Sequence, residues 1–73
     1  MEKISLYVVP TKEISKTALE ILKKELPGAD TEVIGCPESM EKMYPLPFVR
    51  YEGLGYFGLL GIREFAESFR KKN

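Results

Sequence analysis

From Ile4 to Val9 the chain alternates Ile4, Leu6 and Val8 with Ser5, Tyr7 and Val9. A run this rich in apolar and β-forming types predicts a strand buried on both faces. Pro10 ends it. From Thr11 the repeat lengthens to that of a helix. Ile14, Ala18, Ile21, Leu22 and Leu26 fall on one stripe, Glu13, Lys16, Glu20, Lys23 and Lys24 face water, and Thr11 is the expected N-cap. Pro27-Gly28 closes the helix, and Thr31 to Ile34 forms a second, shorter strand ending at Gly35. Residues 36 to 47 are less regular: Pro37, Pro45 and Pro47 bracket Glu38 to Met43, a length for about one and a half helical turns. Phe48 to Tyr51 is a third strand, Glu52-Gly53-Leu54-Gly55 supplies turn glycines, and Tyr56-Phe57 begins a fourth strand that completes an antiparallel hairpin. Gly58 and Gly61 bracket the exit. Ile62, Phe65, Ala66 and Phe69 recur at i, i+3, i+4 and i+7, which predicts a final amphipathic helix from about Gly61 to Arg70.

The resulting order is β-α-β-(α)-β-β-α, without repeat, linker or low-complexity tract, so residues 1–73 read as one α/β domain. Two strands joined through a long helix lie parallel in one sheet, and the closing hairpin extends that sheet antiparallel. The expectation is a four-stranded mixed sheet with helices on both faces. A chain of 73 residues buries only about 60% of the surface its unfolded form exposes, so a tight core or a partner subunit is expected. No apolar stretch nears the roughly 18 residues of a membrane span, and Met1-Glu2-Lys3 leads into a strand with no secretory pattern, so the expected location is cytoplasmic, away from any membrane.

Eleven basic and eleven acidic residues give zero formal charge, which argues against nucleic acid as a partner. The Arg70-Lys71-Lys72 tail reads as cations complementing a helix dipole. One cysteine rules out an intramolecular disulfide, and without histidine neither a metal site nor a cofactor is expected and the commonest general base is missing. Glutamate and lysine dominate the charged set, glutamine is absent, and Asn73 is the single asparagine, a bias shared with proteins of thermophiles.

Two stretches make the likeness to a known family more than topological. Pro10-Thr11 leads into Lys12-Glu13-Ile14-Ser15 and then a basic, amphipathic helix. Leu46-Pro47-Phe48-Val49, followed by the glycine-led Gly58-Leu59-Leu60-Gly61-Ile62-Arg63-Glu64-Phe65, makes the second. The chain thereby resembles the minimal thioredoxin fold of the thioredoxin and glutaredoxin family, which places a Cys-x-x-Cys tetrad after strand one and a cis-proline before strand three. The resemblance implies that Pro47 is that cis-proline and that Lys12 and Ser15 stand where the attacking and resolving cysteines would be. Neither side chain can exchange a disulfide, because the chemistry needs a thiolate stabilised at a helix N-terminus and a second thiol to resolve it. A divergent, redox-inactive member is therefore expected.

In the family the backbone before the proline pairs with an extended peptide or with glutathione. The resemblance thus implies a groove bounded by Thr11, Lys12, Ser15, Leu46 and Pro47, for a peptide segment, a protein partner or a small anion drawn to the helix N-terminus. The contrasting reading is a glutaredoxin-like or glutathione-transferase-like enzyme using Ser15 or Cys36. Ser15 has no histidine to activate it and reads as a cap or a solvated surface residue, while Cys36 in Gly35-Cys36-Pro37 lacks basic neighbours and reads as an inert thiol. Among the aromatics, Tyr56 and Phe57, with Leu59 and Leu60 between Gly58 and Gly61, form the candidate interface for a partner or a homodimer.

Overall fold

A computed structural model, described for residues 3–72, gives the order β1 (Ile4–Val8), α1 (Glu13–Glu25), β2 (Thr31–Gly35), a 3₁₀ turn (Glu38–Lys42), β3 (Phe48–Tyr51), β4 (Leu54–Phe57) and α2 (Gly58–Lys72). The four strands form one mixed sheet in the order β2-β1-β3-β4. β1 runs parallel to β2, and β3 is antiparallel to both β1 and β4. Among the described residues no helix is long and apolar enough to cross a membrane.

The strand period sets the layers. Ile4, Leu6 and Val8 point to one face, where they pack with Val49, with Ala18, Leu22 and Leu26 of α1, and with Ile62, Phe65 and Ala66 of α2. Both α-helices therefore share one face. The other face carries a smaller cluster of Val9, Cys36 and Leu46, against which Tyr7, Ile34, Phe48 and Met40 of the 3₁₀ turn pack. The expected helices on both faces become two α-helices on one side and a single 3₁₀ turn at one end of the other. For the same reason β1 is not buried on both faces: Ile4, Leu6 and Val8 are buried, whereas Ser5 and Tyr7 are half-buried. The register Ile34–Tyr7–Phe48–Phe57 sets one apolar row across all four strands of the open face. Tyr7 stacks on Phe48 with centroids 4.5 Å apart, and Phe48 meets Phe57 at 5.2 Å.

Three boundaries differ from expectation. The N-cap of α1 is Lys12 and not Thr11, and starting the helix at Glu13 turns Ser15 inward while Ile14 stays 42% exposed. β4 begins at Leu54, because Glu52 (φ 50°) and Gly53 (φ 80°) alone close a two-residue turn of the I′ kind. α2 begins a full turn early. Gly58, at φ 69°, lets the chain pass straight from β4 into the helix. Gly61 is instead a packing position, since a Cβ there would lie 3.1 Å from the Tyr56 carbonyl carbon.

The hairpin turn supplies a direct check. Glu52 is a non-glycine residue in the left-handed region, which disfavours most L-residues by about 1–2 kcal/mol, while asparagine tolerates it. Glu52→Asn is expected to raise the denaturation midpoint and Gly53→Ala to lower it by about 1 kcal/mol or more, both read by urea titration.

Candidate functional site

The end of β1 and the start of α1 are tied together through Val9. Its carbonyl accepts the Lys12 N–H at 2.9 Å, and its N–H donates to the Ser15 hydroxyl at 3.0 Å. Ser15 is only 3% exposed, on the inner stripe with Ala18 and Leu22. It is therefore neither a cap nor a surface residue: its hydroxyl oxygen satisfies a main-chain donor that the sheet leaves behind. Lys12 has extended backbone and gives α1 no side-chain cap. The first N–H groups of a helix have no partner within it, so this end is electropositive.

Two glutamates of the 3₁₀ turn reach the same place. The Thr11 hydroxyl donates to Glu38 Oε1 at 3.1 Å, and Lys12 Nζ stands 3.8 Å from Glu41 Oε1. The chain thus brings its own carboxylates to this helix end, and a free anion would meet their repulsion. Both contacts are solvent-exposed and contribute little to stability individually.

The antiparallel ladder between β1 and β3 ends at the pair Tyr7 and Phe48, so Leu46-Pro47 directly precedes the residue that pairs near the end of β1. Leu46 and Val9 pack in one cluster. The Leu46-Pro47 peptide bond is cis, Pro47 is fully buried, and its carbonyl accepts the Gly58 N–H at 2.9 Å. Leu46 is 8% exposed, yet among the described residues its main-chain N–H and C=O make no hydrogen bond. Thr11, Lys12, Ser15, Leu46 and Pro47 are therefore gathered at one end of the sheet around Val9, although the Ser15 hydroxyl is already engaged.

The other candidates separate. Cys36 is buried at 8% exposure between Val9 and Leu46, on the face of the sheet opposite α1, and its thiol lies 3.8 Å from the Ile34 carbonyl. Tyr56 and Leu59 pack against the main core, Tyr56 with its ring 5.1 Å from that of Phe65. Phe57 lies at the end of the open-face aromatic row and is 47% exposed, and Leu60 is 78% exposed on α2. These four residues are thus divided between core and surface. Val9, Glu38 and Glu41 were not picked out in the sequence. Thr11 and Glu38 are separated by 27 positions, so no local pattern announces their contact. The aromatic row was open to detection, since Tyr7, Phe48 and Phe57 fall on one face once the strands are aligned. Among the described residues no group of acidic and cysteine side chains is arranged to hold a metal.

Comparison with protein-family models, with curated proteins and with solved structures gives no match to this chain.

Removing the Ser15 hydroxyl leaves the buried Val9 N–H without its acceptor, so Ser15→Ala is expected to lower stability by about 1–3 kcal/mol in urea titration. Lys12→Ala, which removes only an exposed ion pair, is expected to stay within about 0.5 kcal/mol of the parent. Equal losses in the two variants would show that the Val9–Ser15 bond has no special weight. Native Cys36 is expected to react with a thiol-specific chromophore far more slowly than the unfolded chain does; comparable rates would contradict its burial.

Proposed function

We propose that this is a thioredoxin-like domain without a redox centre, and that it works by binding an extended peptide segment of a partner across the groove between Lys12 and Leu46-Pro47. The observation that carries this reading is the Leu46 main chain. Its N–H and C=O have no hydrogen-bond partner among the described residues, and an extended peptide lying beside them would supply an acceptor and a donor. The element order and the place of Pro47 directly before β3 support the family resemblance.

Thiol or serine catalysis has less support. The Ser15 hydroxyl faces inward and is occupied by the Val9 N–H, and Cys36 sits in an apolar cluster. A small anion is also disfavoured relative to a peptide, because Glu38 and Glu41 already flank the Thr11-Lys12 end of α1. Main-chain pairing tolerates those charges; a free phosphate or carboxylate does not.

Two measurements test the reading. Insulin reduction and reduction of a glutathione mixed disulfide are expected at the background rate of a free thiol, and rates well above it would restore the enzyme. Isotope-labelled protein is titrated with glutathione and, separately, with a capped uncharged tripeptide. Amide shifts centred on Lys12, Leu46 and Phe48 from both ligands are expected. Shifts from glutathione alone would replace the peptide groove with an anion site, and no shift at Leu46 from either would overturn the reading.

A further inference from the structure

β2 is an edge strand with an uncovered side. In its parallel ladder Ile4 donates to the Asp30 carbonyl and Cys36 donates to the Val8 carbonyl, so the even-numbered residues of this segment bond inward to β1. Thr31, Val33 and Gly35 consequently point their N–H and C=O groups outward. Among the described residues nothing bonds to them. The strand sequence Thr-Glu-Val-Ile-Gly carries no proline or lysine, the residues that commonly protect such an edge from added strands.

The side of this edge that faces α1 is shaped as well as open. Val33 is 47% exposed there and borders two hollows between α1 and β2. One, of about 440 Å³, is lined by Leu19, Leu22, Leu26, Ala29 and Val33. The other, of about 240 Å³, is lined by Val8, Pro10, Ser15, Leu19 and Val33. The first reaches the Thr31 end of the strand and the second the Gly35 end. Alternate side chains of an added strand stand about 6.6 Å apart on one face, so residues i and i+2 would enter one hollow each. Among the described residues, the charged ones lining the hollows are Lys23 in the first and Lys16 in the second.

We infer that the β2 edge is a second binding site, which accepts an extended segment of a partner protein as a fifth strand, with apolar side chains at i and i+2 and acidic residues flanking them. Main-chain bonds to Thr31, Val33 and Gly35 supply affinity, the two hollows select the alternate apolar side chains, and Lys16 and Lys23 select the flanking charge. A second copy of this chain fits the edge poorly. Antiparallel pairing of β2 with itself about Val33 would bring Lys16 of one copy toward Lys23 of the other, and Glu32, the acidic residue of the strand, belongs to the opposite face. Ser15 borders both this site and the Leu46 groove, but the strand-pairing amides, those of Thr31, Val33 and Gly35, are distinct from the Leu46 amide.

The test uses the full chain and a capped octapeptide with valine and threonine alternating between terminal aspartates. Titration is expected to shift and protect the Thr31, Val33 and Gly35 amides while leaving Leu46 unchanged. N-methylation of one alternate set of peptide amides is expected to abolish binding and of the other set to leave it within about twofold, since only one edge of an added strand faces β2. Val33→Pro, which deletes an outward N–H and keeps the inward ladder, is expected to weaken binding by about tenfold or more with unchanged circular dichroism. Lys16→Glu combined with Lys23→Glu is expected to reverse the preference from aspartate-flanked to lysine-flanked peptide. Shifts confined to other strands, equal loss from both N-methylated sets, or an unchanged charge preference would each overturn the proposal. So would a concentration-dependent dimer whose β2 amides are protected without peptide, because a second copy would then hold the edge.

Discussion

One buried hydrogen bond, from the Val9 N–H to the Ser15 hydroxyl, holds the end of the central strand to the first turn of α1. Its consequences spread in both directions. Because Ser15 must face inward to accept it, the inner stripe of α1 runs through Ser15, Ala18 and Leu22, and the helix lies against Leu6 and Val8 at a fixed rotation. Val9, one residue beyond Val8, turns its side chain to the opposite face by strand alternation and forms a second small cluster with Cys36 and Leu46. The start of α1 and the Leu46-Pro47 turn are neighbours through that cluster. The Ser15 hydroxyl thus supports the scaffold and is already engaged by the Val9 N–H.

The layers on either side of the sheet are unequal, and this shapes the surface. Two helices cover one face and bury it completely at Ile4, Leu6 and Val49. The other has only the 3₁₀ turn near one end, so an aromatic row at Tyr7, Phe48 and Phe57 remains half-covered. Stacking between cross-strand rings gives that row part of the packing that a helix would otherwise provide. A domain this small has little surplus apolar surface, and committing both helices to one core concentrates it where it excludes water best.

Much of this was legible in the sequence, for identifiable reasons. The alternation at Ile4-Leu6-Val8 and the helical spacing at Ile62-Phe65-Ala66-Phe69 are strong periodic signals, and both correspond to buried faces. The mixed pairing of the sheet followed from connection lengths. Less legible was the exact phase of α1: the Ile14 position suits the apolar stripe by type, but the turn through Pro10-Thr11 starts the helix at Glu13 and sets Ser15 inward instead. The same holds for α2, where Gly58 and Gly61 look alike as punctuation but serve as a left-handed junction and a close-packing position respectively. The site was legible as a neighbourhood, in Lys12, Leu46 and Pro47, and not as chemistry. Contacts such as Thr11 with Glu38 join distant segments through solvent-exposed polar groups, which leave no periodic trace.

The 3₁₀ turn is joined to the rest of the domain by little: a half-buried Met40, a tilted ring contact from Tyr44 to Phe48, and exposed polar contacts from Glu38 and Glu41. Few buried contacts make a segment the first to detach in local opening, well below the free energy of global unfolding. Its detachment would uncover Val9, Cys36 and Leu46 together. The lifetime of the closed turn therefore governs how often the cysteine meets solvent, and hydrogen exchange at Met40 and Tyr44 is a clock for it.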